Sequence, residues 1–292
     1  MKQLLFQLIA GYKADISANI LQHDPVLQTL STDGVWASQP SISRFFVRFT
    51  EQTIEDLQTL NQVLIDQARL IRNDTDMIID LDSTHSDTFG SQEQTDYRMN
   101  SYHPLVAFDG LTGDFLKVKL HSRKQYFSNG VNTFLKPLLE HYYQAIPTTA
   151  ILVRGDSGFA TPEIYELCEA SGYDYVIRLK NNRNLTRLAE ELVYYDDNHP
   201  WDEKETYYHS VSYQARFWTI PRRVCIRSPR EAGELLFNHT FIIISFSENI
   251  ILKRGFEMSM SEVLWNIPSK KPKTASILTR RIVHGSSRIT RV

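Results

Sequence analysis

Apolar residues recur every three or four positions over the first quarter of the chain, a period that predicts α-helix. Thr53 and Asp56 have the spacing of a helix-capping pair. The stretch from Trp36 to Arg44 is rich in turn-forming residues and leads into an aromatic run. Residues 1–73 are therefore predicted to form a helical region, with DNA binding as a candidate role. The apolar series that predicts its longest buried helix face is Ile54, Leu57, Leu60, Leu64 and Ala68.

The pattern changes at Met77, where short apolar runs replace the helical period. An apolar run interrupted by turn residues is typical of a buried strand, and Asp109–Gly113 is a hairpin signal between two of them. Helices are predicted over Val131–Tyr143 and from Thr161 to Ala170, where Thr161 caps and Pro162 fits the first turn. The order of three strands, helix, strand, helix and strand predicts a mixed α/β sheet over residues 74–185. The predicted strands are Met77–Asp82, Leu105–Phe108, Phe115–Leu120, Ala150–Val153 and Tyr173–Leu179.

Residues 186–248 are predicted to form a β-rich insertion after a short helical start. Apolar and polar residues alternate from Val211 to Phe217, the period of a half-buried strand. This alternation assigns Tyr213 and Phe217 to the core and leaves Trp218 as the aromatic side chain available to stack on a nucleic-acid base. Further strands are predicted over Arg223–Arg227 and Leu235–Phe246.

Composition narrows the class of protein. The chain has 292 residues, of which 42% are hydrophobic and 23% charged, so it is globular rather than disordered throughout. Its two cysteines cannot form a disulfide framework and fit a reducing compartment. The apolar stretches are too short to span a membrane, and the first ten residues are interpreted as a cytoplasmic helix.

The net charge of −2 hides an uneven distribution. Residues 268–292 contain seven Lys and Arg and no acidic residue, whereas the rest of the chain has 25 basic and 34 acidic residues, a net charge of −9. A basic tail can bind the phosphate backbone of DNA, although a solvated chain end has the same composition.

Two acidic residues are candidates for chemistry because of their positions. Asp82 closes the first predicted strand and Asp156 follows the fourth. Ligands of open α/β sheets gather at the carboxyl ends of strands, where converging carboxylates suit a hard cation such as Mg²⁺. The alternative is that both acids are caps or surface residues. A zinc site at His85, His103 and His121 is not supported, because they lack both the usual spacing of zinc ligands and a partnering cysteine.

A series of short motifs occurs in a fixed order along the chain. Through them the chain resembles the bacterial insertion-sequence transposases with a DDE domain of group 1. The resemblance extends over about residues 8–248 and includes the Ala37–Arg44 segment. The motifs are Asp80-Leu-Asp82-Ser-Thr84, Gly90-Ser-Gln92, Tyr102-His-Pro-Leu105, Gly110-Leu-Thr-Gly113, Arg154-Gly-Asp156-Ser-Gly-Phe159, Pro221-Arg-Arg-Val224 and Glu234-Leu-Leu-Phe237.

The resemblance implies a ribonuclease-H-like catalytic core over residues 74–185 that cleaves and transfers DNA strands at the ends of an insertion sequence. It implies two Mg²⁺ or Mn²⁺ ions, with Asp82 as the first and Asp156 as the second catalytic and metal-binding aspartate. Asp80 lies on the same strand face as Asp82 and is the alternative for the first role. The implied partners are double-stranded DNA with terminal inverted repeats and a second copy of the chain. The implied location is the nucleoid.

The end of the chain departs from the family pattern. The family's third acid is a Glu separated from a preceding Arg by three intervening residues, within a motif that also holds a Tyr and a Lys. Here Glu257 follows Arg254 at a different spacing, without the Tyr and the Lys. Residues 249–292 are therefore interpreted as a degenerate or frameshifted basic tail of a copy truncated at both ends. Impaired transposition is expected, with a non-catalytic DNA-binding remnant or a metal-dependent nuclease as alternatives.

Overall fold

The computed structural model describes residues 2–30, 35–83, 86–87, 101–102, 104–119, 128–146, 150–194, 200, 202–246, 255–256 and 259. The chain divides into two compact units. One comprises Met1–Gln67, Thr84–Pro104 and Lys270–Val292, and the other comprises Ala68–Ser83 and Leu105–Ser269.

The first unit is mainly helical, as the apolar period predicts. Its core contains Leu4, Ala18 and Ile42, with Phe45 and Phe46 packed against them. Two short strands, β2 (Ser86–Asp87) and β3 (Ser101–Tyr102), pair with each other. The helices of this region are α1 (Lys2–Ile9), α2 (Ala18–Leu21), α3 (Pro25–Leu30), α4 (Gln39–Val47) and α5 (Glu51–Arg72), the last of which continues into the second unit.

The stretch interpreted as turn-rich is largely helical. Helix α4 begins at Gln39 and runs through Arg44, so only the residues before it are irregular. Ser38 occupies the N-cap position in an extended conformation, and Pro40 lies in the first turn, where its missing N–H is no loss. Serine and proline therefore start a helix here.

Helix α5 begins three residues earlier than the capping prediction requires. The Thr53 N–H donates to Thr50 Oγ1 at 3.2 Å, and the Thr50 N–H donates to Thr53 Oγ1 at 3.3 Å. This reciprocal pair has the geometry of a capping box, so Thr53 occupies its third helical position. The predicted pairing of Thr53 with Asp56 is wrong, because Asp56 instead accepts from the Gln52 side chain.

The buried face of α5 is also displaced from the predicted one. Leu60 and Leu64 are 54% and 61% exposed, whereas Ile65 and Arg69 are buried. The helix carries two apolar stripes, and the second includes Val63, Leu70 and Ile71 on the exposed side. Periodicity therefore identified the helix correctly and was wrong about Leu60 and Leu64, whereas Ile54, Leu57 and Ala68 of the predicted face are half-buried.

The second unit contains an eight-stranded mixed sheet with flanking helices, which confirms the predicted fold class. The strands follow the order β5-β4-β1-β6-β7-β10-β9-β8 across the sheet. Strand β1 is parallel to β6 and antiparallel to β4, and β6 is parallel to β7. The strands are β1 (Asp76–Ser83), β4 (Leu105–Asp109), β5 (Phe115–Lys119), β6 (Ala150–Gly155), β7 (Asp174–Leu179), β8 (Glu205–Tyr213), β9 (Arg222–Arg230) and β10 (Thr240–Ile244).

Among the described residues of this unit, the sheet is accompanied by helices α6 (Ser128–Ala145), α7 (Pro162–Ser171) and α8 (Arg183–Leu192). Helix α7 begins after Thr161 as predicted and ends at Gly172, whose φ of 70° is left-handed. One buried apolar cluster joins four strands and the residue Phe256. Its members are Leu152, Val176, Cys225, Ile242, Ile244 and Phe256.

The β-rich region after α8 continues the main sheet, because β10 pairs with β7 and is followed outward by β9 and β8. Two predicted strands have different bounds in the structure. Strand β8 ends at Tyr213 rather than Phe217, and β10 begins at Thr240, leaving Leu235 and Leu236 exposed before it. Within the described part of the chain, no helix has the length and apolar character needed to cross a membrane.

Candidate metal centre

Asp82 and Asp156 lie next to each other at the carboxyl edge of the sheet. Strands β1 and β6 are parallel, and their last paired residues are Leu81 and Gly155. Asp82 is the residue after Leu81, and Asp156 is the residue after Gly155. Neighbouring strands are about 4.8 Å apart, so the sheet brings two carboxylate-bearing residues 74 positions apart into one small region. Asp82 is half-buried and Asp156 is exposed.

The backbone around Asp156 is held by a tight turn. Asp156 caps a short 3₁₀ helix, Ser157–Phe159, and its Oδ1 accepts the Gly158 N–H at 2.8 Å. The ring of Phe159 is buried beneath the turn. A Cβ at Gly155 would lie 3.0 Å from the Phe159 Cβ, so a side chain there would crowd the Phe159 ring. This packing fixes where the strand delivers Asp156.

Asp80 is occupied by an ion pair with Arg154. The Arg154 Nε and Nη2 atoms donate to the two carboxylate oxygens of Asp80, each at 2.5 Å. The Asp80 side chain is 14% exposed and the Arg154 side chain is 8% exposed. Burial raises the pKa of Asp80, and the hydrogen bonds from Arg154 oppose that rise. Asp80 therefore has a bidentate basic partner.

Gly110 closes the other side of this ion pair. A Cβ at Gly110 would stand 2.7 Å from Asp80 Oδ2 and 3.0 Å from Arg154 Nη2. The Gly110 N–H donates to the Ile78 carbonyl at 2.7 Å, which holds the turn against β1. The Gly-Leu-Thr-Gly motif thus has a packing role as well as its role in the hairpin turn.

A second buried ion pair supports the same hairpin. Arg69 Nη1 donates to Asp109 Oδ2 at 2.9 Å, and both side chains are 1% exposed. Asp109 Oδ1 also accepts the Leu111 N–H at 3.0 Å. Burial raises the pKa of the Asp109 carboxyl, and the Arg69 charge opposes this rise. The turn after β4 is therefore anchored from inside the protein.

The donors at this edge fit one hard cation. Mg²⁺ is commonly held by one or two carboxylates together with substrate phosphates, which is the donor set that Asp82 and Asp156 offer. Within the ranges that the structure describes, no group of three or more His, Cys, Asp or Glu residues could hold a metal ion. Glu257, the basic tail and the histidines considered for zinc (His85, His103 and His121) lie outside the described residues.

The aromatic assignment in the β8–β9 turn is reversed. Trp218 is 8% exposed, packing edge-on against Tyr165 and Tyr213, whereas Phe217 is 80% exposed. The alternation used for the prediction stops at Tyr213, and a turn follows in which the Trp218 N–H donates to the Ala215 carbonyl. Phe217 is therefore the aromatic side chain that this turn presents to solvent.

This hairpin is fastened to α7 by polar contacts. Arg222 Nε and Nη2 donate to the two oxygens of Glu169, at 2.7 and 2.9 Å. The Thr219 hydroxyl donates to Glu166 at 3.0 Å. The hydrogen bonds from Arg222 lower the pKa of Glu169. The turn that carries Phe217 is thus held on the helix that follows Asp156.

Asp82 and Asp156 were predicted from the sequence as candidate ligands, whereas Arg69 and Gly110 were not predicted as structural partners. Arg154 belongs to the motif that contains Asp156, but no structural role was predicted for it. Arg69 is 40 residues from Asp109, and Arg154 is 74 residues from Asp80, so no local spacing reveals either pair. Arg154 lies opposite Asp80 in the register of β1 with β6, and this relation can be recognised only when the strand pairing is known.

Comparison with known proteins gives one family match. A family model described as "Transposase DDE domain group 1" matches residues 1–258. No curated protein matches the chain.

Several solved structures are similar at low identity. The piggyBac transposase synaptic complex with hairpin DNA has 10% identity and a TM-score of 0.39, over 98% of this chain and 72% of that chain. The Argonaute of Marinitoga piezophila in complex with guide RNA has 15% identity and a TM-score of 0.29, over 63% and 25% of the two chains. Endonuclease V of Ciona intestinalis, bound to DNA containing inosine, has 8% identity and a TM-score of 0.26, over 72% and 88%.

Proposed function

We propose that this chain, which belongs to the transposase DDE domain group 1 family, cleaves and transfers DNA strands at the ends of an insertion sequence in a reaction that depends on divalent metal ions. The observation that carries the proposal is the adjacency of Asp82 and Asp156 at the carboxyl ends of two paired parallel strands. We interpret the sheet as a ribonuclease-H-like core with these two aspartates as its catalytic and metal-binding pair.

Each aspartate contributes differently to the proposed site. Asp82 is half-buried at the end of a central strand, so its carboxylate has a defined direction. Asp156 is exposed and held by its cap on the 3₁₀ helix, so it faces the side from which DNA would approach. Bound Mg²⁺ or Mn²⁺ would activate the attacking oxygen and stabilise the leaving oxygen in phosphoryl transfer.

We propose further that the activity is impaired. Strand transfer by two metal ions needs ligands for both, and two carboxylates with the substrate phosphates suffice for one ion but hold a second one poorly. Glu257 departs from the family spacing for a third acid. A weakly held second ion leaves the leaving oxygen poorly stabilised, which slows cleavage more than it weakens DNA binding.

The proposed partners are double-stranded DNA with terminal inverted repeats and a second copy of the chain, since transposition joins two element ends. The proposed place of action is the nucleoid. A non-catalytic DNA-binding remnant is the second candidate, favoured by the departure of Glu257 from the family spacing for the third acid.

The proposal is tested by incubating the purified full chain with DNA carrying the terminal inverted repeats, with Mg²⁺, Mn²⁺ or chelator. We expect slow, metal-dependent nicking at the repeat ends that Asp156→Asn and Asp82→Asn abolish. Asp76→Asn is the matched control, because Asp76 is the first residue of β1, at the opposite end of that strand from Asp82. It should leave nicking unchanged.

Each other outcome has a definite meaning. Robust joining that requires Asp156 would contradict the impairment. Cleavage that ignores the repeats would identify a nuclease instead. DNA binding without cleavage would identify the remnant, and a folded chain that neither binds nor cuts DNA would contradict every version of the proposal.

A further inference from the structure

We propose that Arg154 is a positioning residue of the metal site: it neutralises Asp80 and holds it apart, so that Asp82 and Asp156 are the carboxylates that bind the ion. The inference rests on the proposed function and adds to it a control of metal affinity. It explains why, of the two aspartates on one face of β1, only Asp82 would be a metal ligand.

The geometry around Asp80 supports this role from two sides. Arg154 Nε and Nη2 engage both carboxylate oxygens in a bidentate pair. On the other side, the Gly110 backbone approaches so closely that a Cβ there would stand 2.7 Å from Asp80 Oδ2. Arg154 and Gly110 together enclose the carboxylate and limit the approach of another ligand.

The position of Arg154 links this pair to the candidate site. Arg154 lies directly opposite Asp80 in the β1–β6 register, one pair before Leu81 and Gly155. The ion pair therefore joins the two strands just before they deliver Asp82 and Asp156. Side chains two residues apart share a strand face, so Asp80 and Asp82 lie on the same face.

The charges make the consequence measurable. Asp80, Asp82 and Asp156 place three carboxylates near the carboxyl ends of β1 and β6. Asp109, at the end of the antiparallel strand β4, lies opposite Ile79 and is paired with Arg69. With Arg154 in place, Asp80 adds no net charge to the site. If Asp80 loses its charge while Arg154 remains, the uncompensated guanidinium repels a divalent cation and is free to pair with Asp82.

The experiment is a Mn²⁺ titration by calorimetry, with electron paramagnetic resonance of bound Mn²⁺, on the full chain. Asp80→Asn should weaken binding about tenfold or more, because a unit positive charge within several ångströms opposes a divalent ion. The double variant Asp80→Asn with Arg154→Gln should return to within about threefold of the wild-type affinity, since the pair is again neutral. Arg154→Lys keeps the charge and should also bind like wild type.

Two results would overturn the inference. If Asp80 is itself a metal ligand, the single and double variants will bind equally weakly and the resonance spectrum will change in both. If the pair only stabilises the fold, all variants will bind Mn²⁺ like wild type and differ only in melting temperature. A tenfold loss of Mn²⁺ affinity in Arg154→Lys would also contradict the inference, because that variant keeps the positive charge.

The same titration separates this inference from the proposed function. Asp82→Asn and Asp156→Asn are measured first. A wild-type chain that binds no Mn²⁺, or binds it independently of these two residues, overturns the proposed metal site and the inference with it. Binding that needs both residues, with a loss in Asp80→Asn that the double variant does not recover, overturns the inference alone.

Discussion

Replacing Arg69 with methionine is expected to lower the free energy of unfolding by about 3–5 kcal/mol, because it leaves a buried carboxylate without its counter-ion. Arg69 and Asp109 are both almost fully buried and are joined at 2.9 Å. Arg69 Nη2 also donates to the Asp76 carbonyl at 3.0 Å, and its guanidinium lies over the Tyr142 ring. Methionine retains most of the volume and none of these polar contacts. Urea unfolding measures the loss.

The effect of Arg69→Met should depend on pH. Burial raises the pKa of Asp109 in the folded protein, and losing the Arg69 charge raises it further. A carboxyl whose pKa is higher in the folded state takes up a proton there first, so folding is favoured as pH falls through that raised pKa. The destabilisation should therefore be largest near neutral pH and shrink in acid.

Arg72→Met is the matched control, because Arg72 lies one turn further along α5 and makes ion pairs with Asp74 and Asp114 at the surface. Partly exposed pairs contribute about 1 kcal/mol or less. An Arg69→Met variant that is no less stable than Arg72→Met, at any pH, would contradict the structural role of the buried pair.

Replacing Trp218 with alanine is expected to lower the free energy of unfolding by about 3–5 kcal/mol, the usual cost of removing a buried large aromatic ring. The ring packs edge-on against Tyr165 and Tyr213, with centroids 5.6 and 5.7 Å away. The Arg222 guanidinium lies 5.9 Å from its centre. The loss would loosen the hairpin from α7. Thermal unfolding followed by near-ultraviolet circular dichroism measures it.

The neighbouring residue provides the control for this prediction. Phe217 is 80% exposed, and truncating an exposed side chain changes stability by about 0.5 kcal/mol or less. Base stacking contributes about 1–3 kcal/mol, so Phe217→Ala should weaken DNA binding about tenfold if the turn meets a base. A variant of Trp218 that is as stable as Phe217→Ala would contradict the burial of Trp218.

The central strands were predictable because burial and strand period agree there. Met77, Ile79 and Leu81 are buried in β1, and the uninterrupted apolar run beginning at Ile151 forms part of β6. The turn from Asp109 to Gly113 was also predictable, since Gly113 has a φ of 79° that glycine adopts without strain. At each of these positions the local residue pattern was enough to predict the secondary structure.

The errors arose where local signals were ambiguous. Helix α5 has two apolar stripes, so its period could not select the buried one. The β8–β9 turn breaks the alternation at Tyr213, and a side chain in a turn can face either way. Trp218 became the inner ring because it meets Tyr165, which lies 53 positions earlier on α7.

The candidate site was predictable in its acids and not in their environment. Asp82 and Asp156 follow apolar strands, a signal that sequence displays directly. The roles of Arg154 and Gly110 depend on the register of β1 with β6 and on the path of the hairpin. These are long-range relations, and only the folded chain contains them.

Calorimetric titration of the purified full chain with Mn²⁺ shows whether Asp82 and Asp156 together bind a divalent ion. We expect saturable binding to the wild type that is lost in Asp82→Asn and in Asp156→Asn but retained in Asp76→Asn, with all four proteins folded. Binding that survives in either site variant, or no binding to a folded wild type, would contradict this expectation.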